Sequence, residues 1–98
     1  MAQSIRPLIA GNWKMNGLKS VGSREVRKLT KQLAKNPGAR CEVLICPPAT
    51  MLAPLREIVT GSGIVIGGQD CHASEAGAHT GDISAAMLKD LGCAYVIV

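Results

Sequence analysis

Residues 41–48 have the sequence Cys-Glu-Val-Leu-Ile-Cys-Pro-Pro, a largely apolar run that stops at two prolines. Because the apolar residues are nearly continuous rather than alternating, the run is typical of a strand buried on both faces of a parallel sheet. Three further runs share this character, and they are Leu8–Gly11, Ile64–Ile66 and Tyr95–Val98. The sequence therefore predicts four parallel strands that begin near residues 8, 41, 64 and 95.

Three amphipathic helical patterns separate these runs. Ser84 is positioned to cap the third helix, and the glycines at positions 61 and 92 are typical helix stops. The apolar stripes are Val26, Leu29 and Leu33; Leu52, Leu55, Ile58 and Val59; and Met87, Leu88 and Leu91. Their spacing of three and four residues indicates one buried side on each helix. The resulting order, β-α-β-α-β-α-β with right-handed crossovers, predicts an α/β fold.

The charge distribution is asymmetric. The 98 residues are 47% hydrophobic and 18% charged, an ordinary globular composition. Residues 1–40 carry nine of the eleven Lys and Arg residues but only one acid, Glu25. A basic half is compatible with a nucleic-acid surface or with the solvated face of the first helix. We favour the helix face and predict no nucleic-acid partner, since one Trp, one Tyr and no Phe leave few rings for stacking bases.

The cysteines and the hydropathy bear on the cellular compartment. No apolar stretch approaches the roughly 20 residues needed to cross a bilayer, and the N-terminus does not resemble a signal peptide. We therefore expect no membrane partner and a cytoplasmic protein with reduced thiols. Cys41 and Cys46 point to opposite faces of one predicted strand and cannot share an ion. Cys71, His72 and His79 share a loop but match no usual zinc spacing, so no metal is predicted.

The segment Gln69–Asp82, between the third strand and the third helix, is unusually long. Most such loops have about two to six residues, whereas this one has fourteen and is polar and rich in Gly and Ala. Long loops at the carboxyl ends of strands often carry function, so we interpret it as a ligand loop or a partner-docking arm. Its histidines, His72 and His79, are predicted to lie at the surface rather than to act in catalysis.

Asn12 and Lys14 follow the first strand, at the edge of the sheet where α/β proteins bind ligands. Alternation along the strand places Ala10, Asn12 and Lys14 on one face. A lysine is costly to bury there unless an anion meets it, and an asparagine adds a hydrogen-bonding group. The pair fits an anionic, oxygen-rich substrate, and a lysine that reaches out to water fits the spacing equally well. Glycine-rich dinucleotide and P-loop motifs are absent from the sequence.

Several motifs resemble the triosephosphate isomerase family, in the order in which the family has them. Ala10–Asn16, Ala-Gly-Asn-Trp-Lys-Met-Asn, is similar to its N-terminal signature, and Gly77–Ala85, Gly-Ala-His-Thr-Gly-Asp-Ile-Ser-Ala, is similar to its third loop. Cys46-Pro47-Pro48, Met87–Gly92 and Tyr95–Val98 fit its second strand, third helix and fourth strand. The resemblance implies a (β/α)8 barrel that interconverts dihydroxyacetone phosphate and glyceraldehyde 3-phosphate, without a cofactor, through an enediolate.

The resemblance also implies roles for individual residues. Asn12 and Lys14 fall on the family's substrate-binding Asn and Lys, and Lys14 has the catalytic role of stabilising negative charge on the substrate. Thr80 falls on the threonine at the tip of the long loop, which enters the partner subunit of a homodimer. The implied dimer-interface positions are Met15, Gly77, His79, Thr80 and Gly81. His79 stands where the family has Phe or Tyr.

This chain is much shorter than a complete barrel of the family. Such barrels have about 250 residues and eight strands, whereas four strands are predicted here. We therefore expect residues 1–98 to be the N-terminal part of a single barrel domain. The histidine and glutamate that the family uses for proton transfer follow the fourth strand, so the span alone is not expected to be active. The alternative is a stand-alone α/β module that binds small anionic ligands.

Overall fold

The computed structural model describes residues 5–38 and 40–98. The strands are β1 (Leu8–Asn12), β2 (Glu42–Cys46), β3 (Ile64–Gly68) and β4 (Tyr95–Val96), and the helices are α1 (Lys19–Ala34), α2 (Leu52–Val59) and α3 (Ala85–Asp90). A short 3₁₀ turn, Ala49–Met51, leads into α2. The predicted order of strands and helices is confirmed, and each strand begins within one residue of its predicted start.

The four strands form one parallel sheet in the order β1-β2-β3-β4. In this register Asn12 lies opposite Cys46, and Ile45 lies opposite Ile66. Because the strands are parallel, their carboxyl ends lie at the same edge of the sheet, which we call the carboxyl edge. Asn12, Cys46 and Gly68 are the last residues of β1, β2 and β3 at this edge.

The core lies between one face of the sheet and the helices. The predicted helical stripes contribute to it, with Leu52, Leu55 and Val59 of α2 almost fully buried, but Met87, predicted on the buried side of α3, is 53% exposed. The buried core residues are Val26, Ile45, Met51, Leu52, Leu55, Val59, Ile64, Ile66 and Leu88. The predicted cap of the third helix is confirmed, since the Ser84 hydroxyl accepts a hydrogen bond from the Met87 N–H. Burial of each large apolar side chain of the core contributes about 1.5–3 kcal/mol to the free energy of unfolding.

The opposite face of the sheet, which we call the inner face, carries a polar contact across two strands. The Tyr95 hydroxyl of β4 donates to Glu42 Oε1 of β2 over a distance of 3.2 Å. The hydrogen bond to Glu42, the loss of water around the phenol and the negative charge of Glu42 all raise the pKa of Tyr95. This contact joins β2 and β4 across the intervening strand.

β1 departs from the prediction of a strand buried on both faces. It is exposed along its whole length, and Ile9 is 57% exposed. The reason is that β1 is an edge strand with β2 as its neighbour, and an open groove separates it from α1. β4 is also an edge strand, and Tyr95 is exposed. Burial on both faces therefore holds best for β3 and the carboxyl half of β2.

Gly67 allows the inner face to pack closely. A Cβ atom at this position would lie 2.9 Å from the Tyr95 carbonyl oxygen, 3.1 Å from Cys46 Sγ and 3.1 Å from Leu44 Cδ1. The nearest of these atoms belongs to the backbone and cannot rotate away. A side chain at residue 67 would therefore push β3 and β4 apart.

We expect Gly67→Ala to destabilise the protein by about 1–3 kcal/mol, the usual cost of overpacking. Gly11→Ala is the matched strand control, because its Cβ would meet nothing closer than 3.9 Å, and its effect should stay within about 0.5 kcal/mol. Urea unfolding of the two variants measures the difference. Equal stabilities would contradict the close contact at Gly67.

Candidate active site

The three strand ends at the carboxyl edge are joined by hydrogen bonds to one carbonyl. The Trp13 N–H, just beyond β1, donates to the Cys46 carbonyl oxygen at 3.0 Å. Gln69 Nε2, just beyond β3, donates to the same oxygen at 3.0 Å and to the Lys14 carbonyl oxygen at 2.8 Å. These bonds fix the segment after β1 against the ends of β2 and β3.

Asn12 and Lys14 lie together at this edge, as predicted. Asn12 is the last residue of β1, and its Oδ1 accepts a hydrogen bond from the Lys14 N–H at 3.0 Å. The Asn12 side chain therefore shapes the turn that presents Lys14. Because Oδ1 is used in this way, the amide nitrogen of Asn12 is the group suited to donate to a substrate oxygen.

Lys14 has a left-handed backbone conformation, with φ of +56°. For a residue with a side chain this conformation costs about 1–2 kcal/mol, and such strain is concentrated at functional sites. β1 ends at Asn12, so the strand alternation that predicted a shared face for Asn12 and Lys14 does not extend to Lys14, and the turn sets the direction of its side chain instead. Lys14 is exposed, so a substrate role and a water-reaching role both remain compatible with its position.

Packing of Trp13 supports the turn. Asn16 Nδ2 donates to the Trp13 carbonyl oxygen at 2.9 Å. A Cβ at Gly17, whose φ is +108°, would lie 3.1 Å from the Trp13 ring, and a Cβ at Gly22 would overlap the Met51 side chain. The ring of Trp13 is thus enclosed by the first turn of α1 and by Met51. Met15, predicted at a dimer interface, is 94% exposed.

The long loop Gln69–Asp82 is confirmed as a segment without helix or strand of its own. Its base is closed by the His72 N–H, which donates to the Ile83 carbonyl oxygen at 2.7 Å. The tip is exposed, including His79 and Thr80. Gly77 and Gly81 flank this tip with positive φ values of +147° and +88°. The structure thus presents the predicted interface residues of the loop on one exposed projection.

A cluster of polar side chains forms within this loop. The His72 and His79 rings stack at 3.9 Å, and His72 Nε2 lies 4.0 Å from Asp82 Oδ2. The loop therefore brings Asp82 to the two histidines. His79 is exposed, as predicted for both histidines, and His72 is half-buried.

The protonation of His72 disfavours a metal at this cluster. Its Nδ1 accepts a hydrogen bond from the Ser74 N–H at 2.8 Å. In the neutral ring the proton therefore sits on Nε2, the nitrogen that faces Asp82. A ligating nitrogen needs a free lone pair, so the cluster fits an imidazole–carboxylate contact better than a metal site.

The cysteines are all free thiols, as predicted. Burial raises the pKa of the Cys46 thiol, and burial together with the nearby Cys46 raises the pKa of Cys93. Both thiols remain protonated at neutral pH, so neither is suited to act as a nucleophile. Cys46 contributes to the site through its carbonyl group instead.

Two features of the site were missed by reasoning from the sequence. Gln69 was included in the long loop but was not assigned a role, although its place directly after β3 puts it at the carboxyl edge. The left-handed conformation of Lys14 has no signal in the sequence, because lysine is not among the residues that favour it.

Among the helices of residues 5–38 and 40–98, none has the length and apolar character needed to cross a bilayer.

Comparisons with known proteins agree with one another. The family model described as triosephosphate isomerase matches residues 7–98. The chain is 57% identical to triosephosphate isomerase of Afipia carboxidovorans and 52% identical to that of Xanthobacter flavus, covering 100% of this chain and 38% of each relative. The crystal structure of the Bartonella henselae triosephosphate isomerase superposes with a TM-score of 0.78 at 46% identity, over 96% of this chain and 38% of that one. The predicted fold, the N-terminal portion of a (β/α)8 barrel, is confirmed.

The strain at residue 14 is testable through two substitutions that remove the same charge. Glycine adopts a positive φ freely, whereas alanine does not. We expect Lys14→Gly to be more stable than Lys14→Ala by about 1 kcal/mol, the cost of the left-handed conformation. Urea unfolding compares the two variants. If both unfold at the same urea concentration, residue 14 is not strained.

Proposed function

The chain belongs to the triosephosphate isomerase family, and on that premise we propose that it supplies the first four strands of an isomerase barrel. The reaction interconverts dihydroxyacetone phosphate and D-glyceraldehyde 3-phosphate through an enediolate, without a cofactor. It belongs to glycolysis and gluconeogenesis in the cytoplasm. The chain spans 38% of the length of the relatives, so the activity is proposed for a barrel that is complete.

The adjacency of Asn12 and Lys14 at the carboxyl edge is the observation that supports this function. The Lys14 ammonium group supplies a fixed positive charge for the negative charge that develops on the substrate oxygens. The Asn12 amide nitrogen donates a hydrogen bond to the same oxygen-rich substrate. Both residues lie in a segment that the family model matches. The site thus provides binding and charge stabilisation.

Proton transfer requires further groups. An acid and a base must each lie within hydrogen-bonding reach of the substrate proton that they move. The family's histidine and glutamate follow the fourth strand. We therefore assign the acid–base steps to the part of the barrel outside residues 1–98, and the electrostatic step to Lys14.

Exposure of the long loop supports a homodimer. Residues 73–82 are exposed throughout, and Met15 is exposed beside the candidate site. We propose that the loop enters a second subunit and that Thr80, at its tip, steadies the partner's site. The contacting positions are Met15, Gly77, His79, Thr80 and Gly81. His79, stacked on His72, takes the place of the family's aromatic residue in this contact.

The function is tested by comparing two proteins. One is the chain alone, and the other, which we call the chimera, joins the chain to the remaining C-terminal part of the Bartonella henselae enzyme. We expect isomerase turnover from the chimera and none from residues 1–98 alone, because the acid and base are assigned to the part of the barrel outside these residues. We also expect the chain alone to self-associate, since Leu8 and Ile9 are exposed on a free edge strand.

Two results would contradict this proposal. Turnover by the chain alone would show that its acid and base lie within these residues. A folded chimera without turnover, together with phosphate binding by a monomeric chain, would favour the stand-alone anion-binding module.

The role of Lys14 is tested in the chimera. We expect Lys14→Ala to lower kcat/KM by about 10²–10³-fold, the usual effect of removing one electrostatic contact to the transition state. Asn12→Ala should lower it less, because it removes a neutral hydrogen bond. Lys31→Ala, an exposed lysine of α1, is the matched control and should leave the kinetics unchanged. Near-normal turnover of Lys14→Ala would refute the assignment.

The role of the long loop is tested by shortening it. In the chimera, replacing Ala78-His79-Thr80 with a Gly-Ser turn should give a folded but monomeric and poorly active protein. The same replacement of Asn36-Pro37-Gly38, at the opposite end of the sheet, should leave dimer and activity intact. Sedimentation velocity and turnover are measured together. An undisturbed dimer in the first variant would exclude the loop as the docking arm.

A further inference from the structure

We infer that Gln69 is a positioning residue for Lys14, because its side chain holds the Lys14 backbone in the left-handed conformation. This inference rests on the proposed function of Lys14. Gln69 lies 55 positions along the chain from Lys14 and directly follows β3. It therefore links the end of β3, a central strand, to Lys14, which lies beyond the edge strand β1.

The carboxamide group of Gln69 connects two backbone carbonyls. Its Nε2 donates to the Lys14 oxygen at 2.8 Å and to the Cys46 oxygen at 3.0 Å. An NH₂ group has two hydrogens, so both of its donors are used. The Cys46 carbonyl belongs to β2 and is fixed by the sheet. The Lys14 carbonyl is thereby tied to an immobile point.

The two peptide groups that flank the Lys14 Cα are both fixed by side chains. Asn12 Oδ1 accepts from the Lys14 N–H, and Gln69 Nε2 donates to the Lys14 carbonyl. The orientations of these two peptide planes define φ and ψ of the residue between them. Fixing both planes therefore sets the backbone conformation of Lys14 and the direction in which its side chain leaves the turn.

The hydrogen bonds of Gln69 are strong enough to offset the backbone strain at Lys14. The left-handed conformation is unfavourable for lysine, and the two hydrogen bonds of Gln69 are together comparable with that cost. Without Gln69, the turn is expected to relax toward ordinary backbone angles. Lys14 would then spend less time in the direction required by the substrate.

Gln69→Met tests the inference in the chimera, because methionine has a similar length but no donor. Ser62→Ala is the matched control. The Ser62 hydroxyl also makes two hydrogen bonds, to the Val59 carbonyl and from the Ile64 N–H, but it lies at the opposite end of β3. Both variants lose two hydrogen bonds, and only Gln69→Met loses them beside Lys14.

The first measurement is amide hydrogen exchange, which does not depend on activity. In Gln69→Met we expect the Trp13 and Lys14 amides to exchange about tenfold faster, the change that corresponds to roughly one net hydrogen bond. Ser62→Ala should leave these two amides unchanged relative to the rest of the sheet. Unchanged exchange at Trp13 and Lys14 in Gln69→Met would overturn the inference, whether or not the chimera is an active isomerase.

The second measurement is a double-mutant cycle on kcat/KM. Gln69→Met should lower kcat/KM about tenfold or more, and it should cause little further loss when Lys14 is already alanine. A purely structural role would give the same loss in both backgrounds and would overturn the inference. If Gln69→Met does not fold, the same two measurements are made on Gln69→Asn. This variant keeps the amide group but is too short to reach both carbonyls. An inactive wild-type chimera refutes the proposed function, while the exchange data still decide the role of Gln69.

Discussion

The carbonyl group of Cys46 is the point on which the carboxyl edge depends. It accepts hydrogen bonds from the Trp13 N–H and from Gln69 Nε2, and so it joins the segments that follow β1 and β3 to the end of β2. Cys46 is fully buried, and a buried carbonyl that loses its donors is costly. The arrangement of Asn12 and Lys14 follows from this single acceptor, since β1 itself is an exposed edge strand that cannot hold them by packing.

Most of the architecture could be predicted from the sequence because it depends on local patterns. Continuous apolar runs indicated the parallel strands, and apolar residues at helical spacing indicated which side of α2 is buried. Ser84 was predicted as a cap because serine in that position satisfies a free N–H at the start of a helix. The burial of β1 could not be judged in this way. A run such as Leu8–Gly11 has the composition of a buried strand, but its burial depends on which neighbours cover it.

The site could be predicted only in part. Asn12 and Lys14 were found because they follow a strand, whereas the conformation of Lys14 depends on Gln69, a partner far away in the sequence. The same limit applies to the long loop. Asp82 joins the two histidines because the hydrogen bond between His72 and Ile83 closes the base of the loop. Spacing along the chain contains no information about such closures.

The order of the strands has a consequence for biosynthesis. Since the order in the sheet is the order in the chain, each strand pairs with the one synthesised before it. Among these four strands, each new strand meets a partner edge that is already present, so no pairing within this sheet has to wait for a distant segment. Contacts between successive segments favour rapid folding, and nascent chains fold from the N-terminus. The nascent sheet can therefore extend by one strand and one helix at a time, with β4 as the growing edge.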